Sequence, residues 1–66
     1  MNRPAAFPIA TGTADAEVML RILRERRSDH AEALISPGTD ERRSDLLRGR
    51  IAELDEFIDW LTPTPD

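Results

Sequence analysis

The sequence predicts an all-α fold: an antiparallel two-helix hairpin, similar to a coiled coil, with an extended N-terminal arm and a short proline-rich C-terminal tail. Two heptad stripes and the turn between them predict it. Spacing of this kind puts one apolar seam on each helix, and the short turn Ser36-Pro37-Gly38-Thr39 requires antiparallel neighbours. The two stripes consist of Ala16, Leu20, Leu23, Arg27, His30 and Leu34, and of Leu47, Ile51, Leu54, Ile58 and Leu61.

The N-terminal arm is expected to span residues 1–13. Pro4 and Pro8 exclude a regular helix there, because proline lacks the amide donor and restricts the residue before it. Phe7 and Ile9 make this segment more apolar than a solvated tail usually is. Two interpretations remain open: these side chains dock on a partner, or they fold back on the open end of the hairpin.

The first helix is expected to run from about residue 14 to about residue 34. Thr13 is a suitable N-cap, because its hydroxyl can accept a hydrogen bond from a free amide of the first turn. Pro37 and Gly38 end the helix, so the sequence predicts a turn at about 35–39.

The second helix is expected to run from about residue 40 to about residue 61. Either Thr39 or Asp40 can cap its start. Pro63 ends it, and residues 62–66 are expected to form a tail that resembles polyproline II.

A turn centred on Pro37 predicts which residues face each other across the hairpin. Ala16 is expected opposite Ile58, and Arg27 opposite Leu47, so the seam is apolar at its open end and more polar at the turn. The predicted hairpin core consists of Leu20, Leu23, Leu34, Leu47, Ile51, Leu54, Ile58 and Leu61.

Several large apolar residues lie off the seam, on one broad face of the hairpin that also carries Arg26, Arg50 and Glu53. Exposed apolar area of this kind marks protein–protein contacts, and tryptophan and arginine are enriched at their centres. The alternative is that Phe57 and Trp60 only widen the core against the arm. The predicted partner interface consists of Phe7, Ile9, Met19, Ile22, Leu46, Phe57 and Trp60.

Length and composition limit how this chain becomes stable. A domain of 66 residues rarely has a core worth more than about 3–5 kcal/mol, and small scaffolds usually add disulfides, a metal or an oligomer. The chain has no cysteine and one histidine, which excludes disulfides and a zinc site built from this chain. We therefore expect no cofactor and no metal, and expect the chain to associate with copies of itself or with a larger protein.

Charge and hydropathy exclude other classes of partner. The apolar runs are too short to span a membrane, and the N-terminal segment lacks the apolar core of a secretory signal. The net charge of −4 argues against nucleic acid as the main partner. Charge is also segregated, because residues 21–50 are slightly basic whereas residues 51–66 hold acids and no base. This segregation fits either solvated faces or complementarity between neighbouring copies.

No catalytic motif is present. The sequence has no glycine-rich phosphate loop and no nucleophile elbow. Asp55, Glu56 and Asp59 are expected on a solvated face that points away from the seam, without the concave site that acid–base chemistry needs. We therefore expect that the protein is not an enzyme.

Arg27 and His30 form an unusual polar pair on the seam. This pair could bind an anion or respond to pH. The alternative is a satisfied polar layer near the turn, in which the two side chains hydrogen-bond to Ser44, Asp40 or Glu41.

The sequence of the second helix is similar to that of a known class of small proteins. Its segment ERRSDLLRGRIAELDEFIDWL, with the core Leu47-Arg48-Gly49-Arg50-Ile51-Ala52-Glu53-Leu54, resembles the second helix of small helical-hairpin proteins encoded among phage structural genes. The resemblance covers about a third of the chain. It implies a multi-copy virion accessory or connector protein of the head–tail region, with larger structural proteins or its own copies as partners. It also implies location in the virion; otherwise we expect a cytoplasmic protein. A small regulatory or inhibitory hairpin is the alternative function.

Overall fold

The computed structural model of the chain describes residues 9–63. Two helices, α1 at Ala14–Ile35 and α2 at Glu41–Leu61, pack against each other along one seam, and no strand occurs within these residues. The predicted all-α helical hairpin is therefore confirmed. The first eight residues of the expected arm, with Phe7, and the last three residues of the expected tail lie outside the described residues.

Helix α1 begins at a threonine cap. The Thr13 hydroxyl accepts a hydrogen bond from the backbone amide of Ala16 at 3.1 Å and donates one to the carbonyl of Ala10 at 2.9 Å. Asp15 and Glu17 follow in the first turn, where the helix dipole favours negative charge. Thr13 thus occupies the capping position that the sequence predicts.

Two side chains of the loop bind the last carbonyls of α1. The Ser36 hydroxyl donates to the carbonyl of Glu32 at 3.0 Å, and the Thr39 hydroxyl donates to that of Ala33 at 2.7 Å. Gly38 lies between them with a φ of 89°. These contacts satisfy acceptors that a helix end leaves unpaired, and they draw the loop back onto α1.

Helix α2 is capped by Asp40, whose carboxylate accepts a hydrogen bond from the backbone amide of Arg43 at 2.8 Å. Thr39 is the other residue that the sequence allows for this role. Because its hydroxyl is bound to α1, Asp40 takes the cap. At the other end of α2, the Thr62 hydroxyl donates to the carbonyl of Ile58 at 2.6 Å.

Alanine is expected to have opposite effects at two glycines. Gly38→Ala places a Cβ in the left-handed region and should lower the free energy of unfolding by about 1–2 kcal/mol. Gly49 lies inside α2 with no atom within 4 Å of an added Cβ, so Gly49→Ala should raise that free energy by about 1 kcal/mol. Urea titrations followed by circular dichroism measure both. Changes of the same sign would contradict the structure of the loop or of α2.

The core is concentrated at the open end of the hairpin. Ala16, Leu20 and Leu61 form a buried cluster there, and Leu61 is only 1% exposed. Partly buried side chains pack around this cluster: Ile9, Leu23 and Ile58. The other predicted core residues are Leu47, which is fully buried nearer the loop, and Leu34, Ile51 and Leu54, which are half-buried.

The open end of the hairpin agrees with the expected arrangement of the two helices. Helix α1 ends at Ile35 and α2 begins at Glu41, each one residue later than expected. Ile58 packs against the buried cluster that contains Ala16, the residue expected to face it. Leu61, at the end of α2, belongs to the same cluster.

Candidate protein-binding face

An apolar groove opens beside the core at the open end of the hairpin. It has a volume of about 230 Å³ and is lined only by apolar residues from both helices and from the segment before α1. The lining residues are Ile9, Met19, Leu23, Phe57 and Leu61. This groove brings Met19 and Phe57 together on one face, as their helical positions predict.

A second, charged groove continues from the first toward the middle of the hairpin. It has a volume of about 350 Å³, and Phe57 forms a wall of both grooves. Arg26 of α1 and Arg50 and Glu53 of α2 line it together with Leu54. The three charged residues that the sequence places among the apolar ones thus meet at the centre of the same face.

A third depression of about 340 Å³ extends this face along α1. Arg26 belongs to both it and the charged groove, so the surface is continuous from one to the other. Ile22 and His30 line it, with Glu25 and Asp29. Ile22 therefore adjoins the central arginine on the predicted side.

The predicted interface residues differ in exposure. Met19, Ile22 and Leu46 are exposed, and Leu46 retains 54% of its accessible surface. Phe57 and Trp60 are half-buried, and their rings contact edge to face, with centroids 5.1 Å apart and an interplanar angle of 86°. Both aromatic residues therefore contribute to the packing, and Phe57 also forms a wall of the apolar and charged grooves.

Ile9 is placed as one of the two interpretations of the arm expects, folded back on the open end of the hairpin. It packs against the buried cluster of Ala16, Leu20 and Leu61, so it folds back onto the hairpin. The same side chain lines the apolar groove. Binding of a partner at Ile9 remains a prediction that would use only the exposed side of this residue.

Two exposed apolar residues are missing from the predicted interface. Val18 is half exposed, and Ile35 is 83% exposed beside the loop. Val18 directly precedes the predicted interface residue Met19, and Ile35 directly follows the seam residue Leu34. Each is a large aliphatic residue that belongs neither to the seam nor to the predicted interface, and this signal in the sequence could have identified them. Their exposure adds to the apolar surface that the hairpin leaves uncovered.

Arg27 pairs with Asp55 across the two helices. Its Nε donates to one carboxylate oxygen, and its Nη2 lies 3.4 Å from the other. Arg27 therefore reaches a residue nearer the open end than Leu47, and Asp55, expected on a face away from the seam, lies within reach of a seam residue. The hydrogen bond, and then the attraction of the carboxylate, raise the pKa of Arg27 above its ordinary value.

The expected polar layer at the turn does not form as predicted. Arg27 binds Asp55, and His30 lies in the depression along α1. Within residues 9–63, His30 makes no hydrogen bond to Ser44, Asp40 or Glu41. The two side chains of this pair therefore lie in different surroundings.

In the described part of the chain, no three histidine, cysteine or acidic residues are close enough together to hold a metal ion. Neither helix combines the length and the apolarity needed to cross a membrane. Comparison of this chain with models of protein families, with curated proteins and with solved structures finds no match.

Proposed function

We propose that this chain is a non-enzymatic assembly protein that docks on larger subunits, or on copies of itself, through one face of the hairpin. The observation that carries the proposal is the contrast between core and surface. Four apolar side chains are buried among the described residues, while five large apolar ones are exposed. A hairpin with so small a core gains stability when another protein covers its exposed apolar residues.

The proposed binding face consists of the apolar groove and the charged groove that continues it. Met19 and Phe57 offer apolar surface, and Arg26, Arg50 and Glu53 offer charges that orient a partner. At protein interfaces, apolar side chains supply affinity, and charged side chains that meet their complement supply orientation and specificity.

The resemblance of α2 to hairpin proteins encoded among phage structural genes supports a more specific role. On that basis we propose a multi-copy accessory or connector component of a phage virion. Such a protein has no need of a catalytic site, because its role is to fill a contact between larger subunits.

The proposal predicts that the isolated chain depends on association for its stability. Thermal unfolding followed by circular dichroism, together with sedimentation over a series of micromolar concentrations, measures this dependence. We expect either low helix content in a monomer or a midpoint that rises with protein concentration. A fully helical monomer whose midpoint is independent of concentration would contradict the proposed function.

Stoichiometry distinguishes this role from a regulatory hairpin that blocks one protein. We expect the complex isolated from the native source to contain many copies in a ring or shell. One copy per partner molecule, measured by native mass spectrometry, would instead favour the regulatory role.

A further inference from the structure

Helix α2 carries a second stripe, distinct from its core seam. At about 100° per residue, its four members fall within roughly 60° of arc, and their centre lies roughly 100° from the seam. The stripe consists of Leu46, Arg50, Glu53 and Phe57. Arg50, Glu53 and Phe57 line the charged groove, and Leu46 lies one turn before Arg50 on the same side, largely exposed.

Two antiparallel copies of this stripe match each other, because basic then faces acidic and apolar faces apolar. Read forward, it runs apolar, basic, acidic, apolar, with spacings of four, three and four. When two copies of α2 lie antiparallel about the centre of the stripe, Leu46 of each copy faces Phe57 of the other. In the same register, Arg50 of each copy faces Glu53 of the other. Every contact therefore occurs twice, as a two-fold interface requires.

We infer that this stripe is a homodimer interface, in which α2 packs antiparallel against α2 of a second copy. The inference rests on the proposed function and identifies one partner of the same face. Two leucine–phenylalanine contacts supply apolar burial at the ends of the stripe, and two arginine–glutamate contacts set the register at its centre. Met19 and Ile22 of α1 flank the stripe and extend the covered surface.

Charge along the rest of α2 favours the same orientation. The antiparallel register places residues 41–49, which hold three arginines and two acids, over residues 54–61 of the other copy, which hold three acids and no base. A parallel pair would instead put like charges side by side along the stripe and beyond it. Complementary charges select the orientation more strongly than they add affinity.

Charge reversal of the purified full-length chain tests the interface. Because Arg50→Glu makes two like-charge contacts in the dimer, we expect the dissociation constant, measured by sedimentation equilibrium, to rise at least about tenfold. Glu53→Arg should act in the same way. The double variant Arg50→Glu with Glu53→Arg restores both contacts in exchanged positions, so it should return the dissociation constant to within about threefold of the original.

Arg48→Glu is the matched control. Arg48 lies on the opposite side of α2, 68% exposed and 3.6 Å from Asp45 of the same helix, so its reversal should leave dimerisation unchanged. Helix content by circular dichroism shows whether each variant still folds. A monomeric wild-type chain, single reversals without effect, or a double variant that stays as weak as the single ones would each overturn the homodimer.

Disulfide trapping tests the orientation, since the chain has no cysteine of its own. We expect a mixture of Leu46→Cys and Phe57→Cys chains to form mainly the mixed disulfide under oxidation. Preferential linkage of Leu46→Cys chains to one another would overturn the antiparallel arrangement.

The homodimer can fail while the proposed function stands. A chain that self-associates without responding to the reversals, or a poorly helical monomer, would overturn this interface and leave the proposed function intact.

Discussion

Replacement of Leu61 by alanine is expected to unfold most of the protein at room temperature. Leu61 is 1% exposed and joins Ala16 and Leu20 in the main buried cluster. Truncation of a buried leucine to alanine costs about 2–5 kcal/mol, and a core of this size supplies only about 3–5 kcal/mol of net stability. We therefore expect Leu61→Ala to show a large loss of helical circular dichroism and a urea midpoint near zero.

Ile35→Ala is the control for that experiment. Ile35 is a large aliphatic residue at the end of the other helix, but it is 83% exposed. Its truncation should change the free energy of unfolding by less than about 0.5 kcal/mol. Similar losses in both variants would mean that Leu61 is not in the core, and would contradict its burial with Ala16 and Leu20.

Replacement of Leu47 by alanine is expected to have the second-largest effect. Leu47 is 2% exposed and is the one fully buried side chain of the described residues that lies in the half of the hairpin near the loop. Its truncation should cost about 2–4 kcal/mol. Hydrogen exchange should show the greatest loss of protection in the helix ends that adjoin the loop, because few other apolar contacts hold them.

The adjacent residue Leu46 separates this core effect from association. Leu46 is also a leucine and directly precedes Leu47 in α2, but it is 54% exposed. Leu47→Ala should lower stability at every protein concentration, whereas Leu46→Ala should do so only where the chain is dimeric. If Leu46→Ala were as destabilising as Leu47→Ala in dilute monomer, the assignment of seam and outer face would be wrong.

Local signals in the sequence predicted the helices well, because caps and helix breakers act within a few residues. Thr13 at the start of α1 and the Pro37–Gly38 turn lie where expected, and each observed helix ends within one residue of its expected range. The loop cap was ambiguous between Thr39 and Asp40. A contact with α1 that the sequence does not encode locally decided it.

Polar side-chain contacts across the hairpin were predicted less well. Heptad spacing identifies a seam on each helix, but it does not determine which residue a long polar side chain reaches. Arg27 illustrates this point, because it pairs with Asp55, which the sequence places on a solvated face away from the seam.

The sequence by itself determined that this protein is a helical hairpin and that large apolar residues are left off its seam. Periodicity and capping are properties of neighbouring residues, so they can be read without a structure. The tertiary structure alone decided the pairing of Arg27 with Asp55, the return of Ile9 onto the core, and the continuity of the face that carries Met19, Phe57, Arg26 and Arg50. Those outcomes depend on how two helices and a loop satisfy packing and hydrogen bonding together.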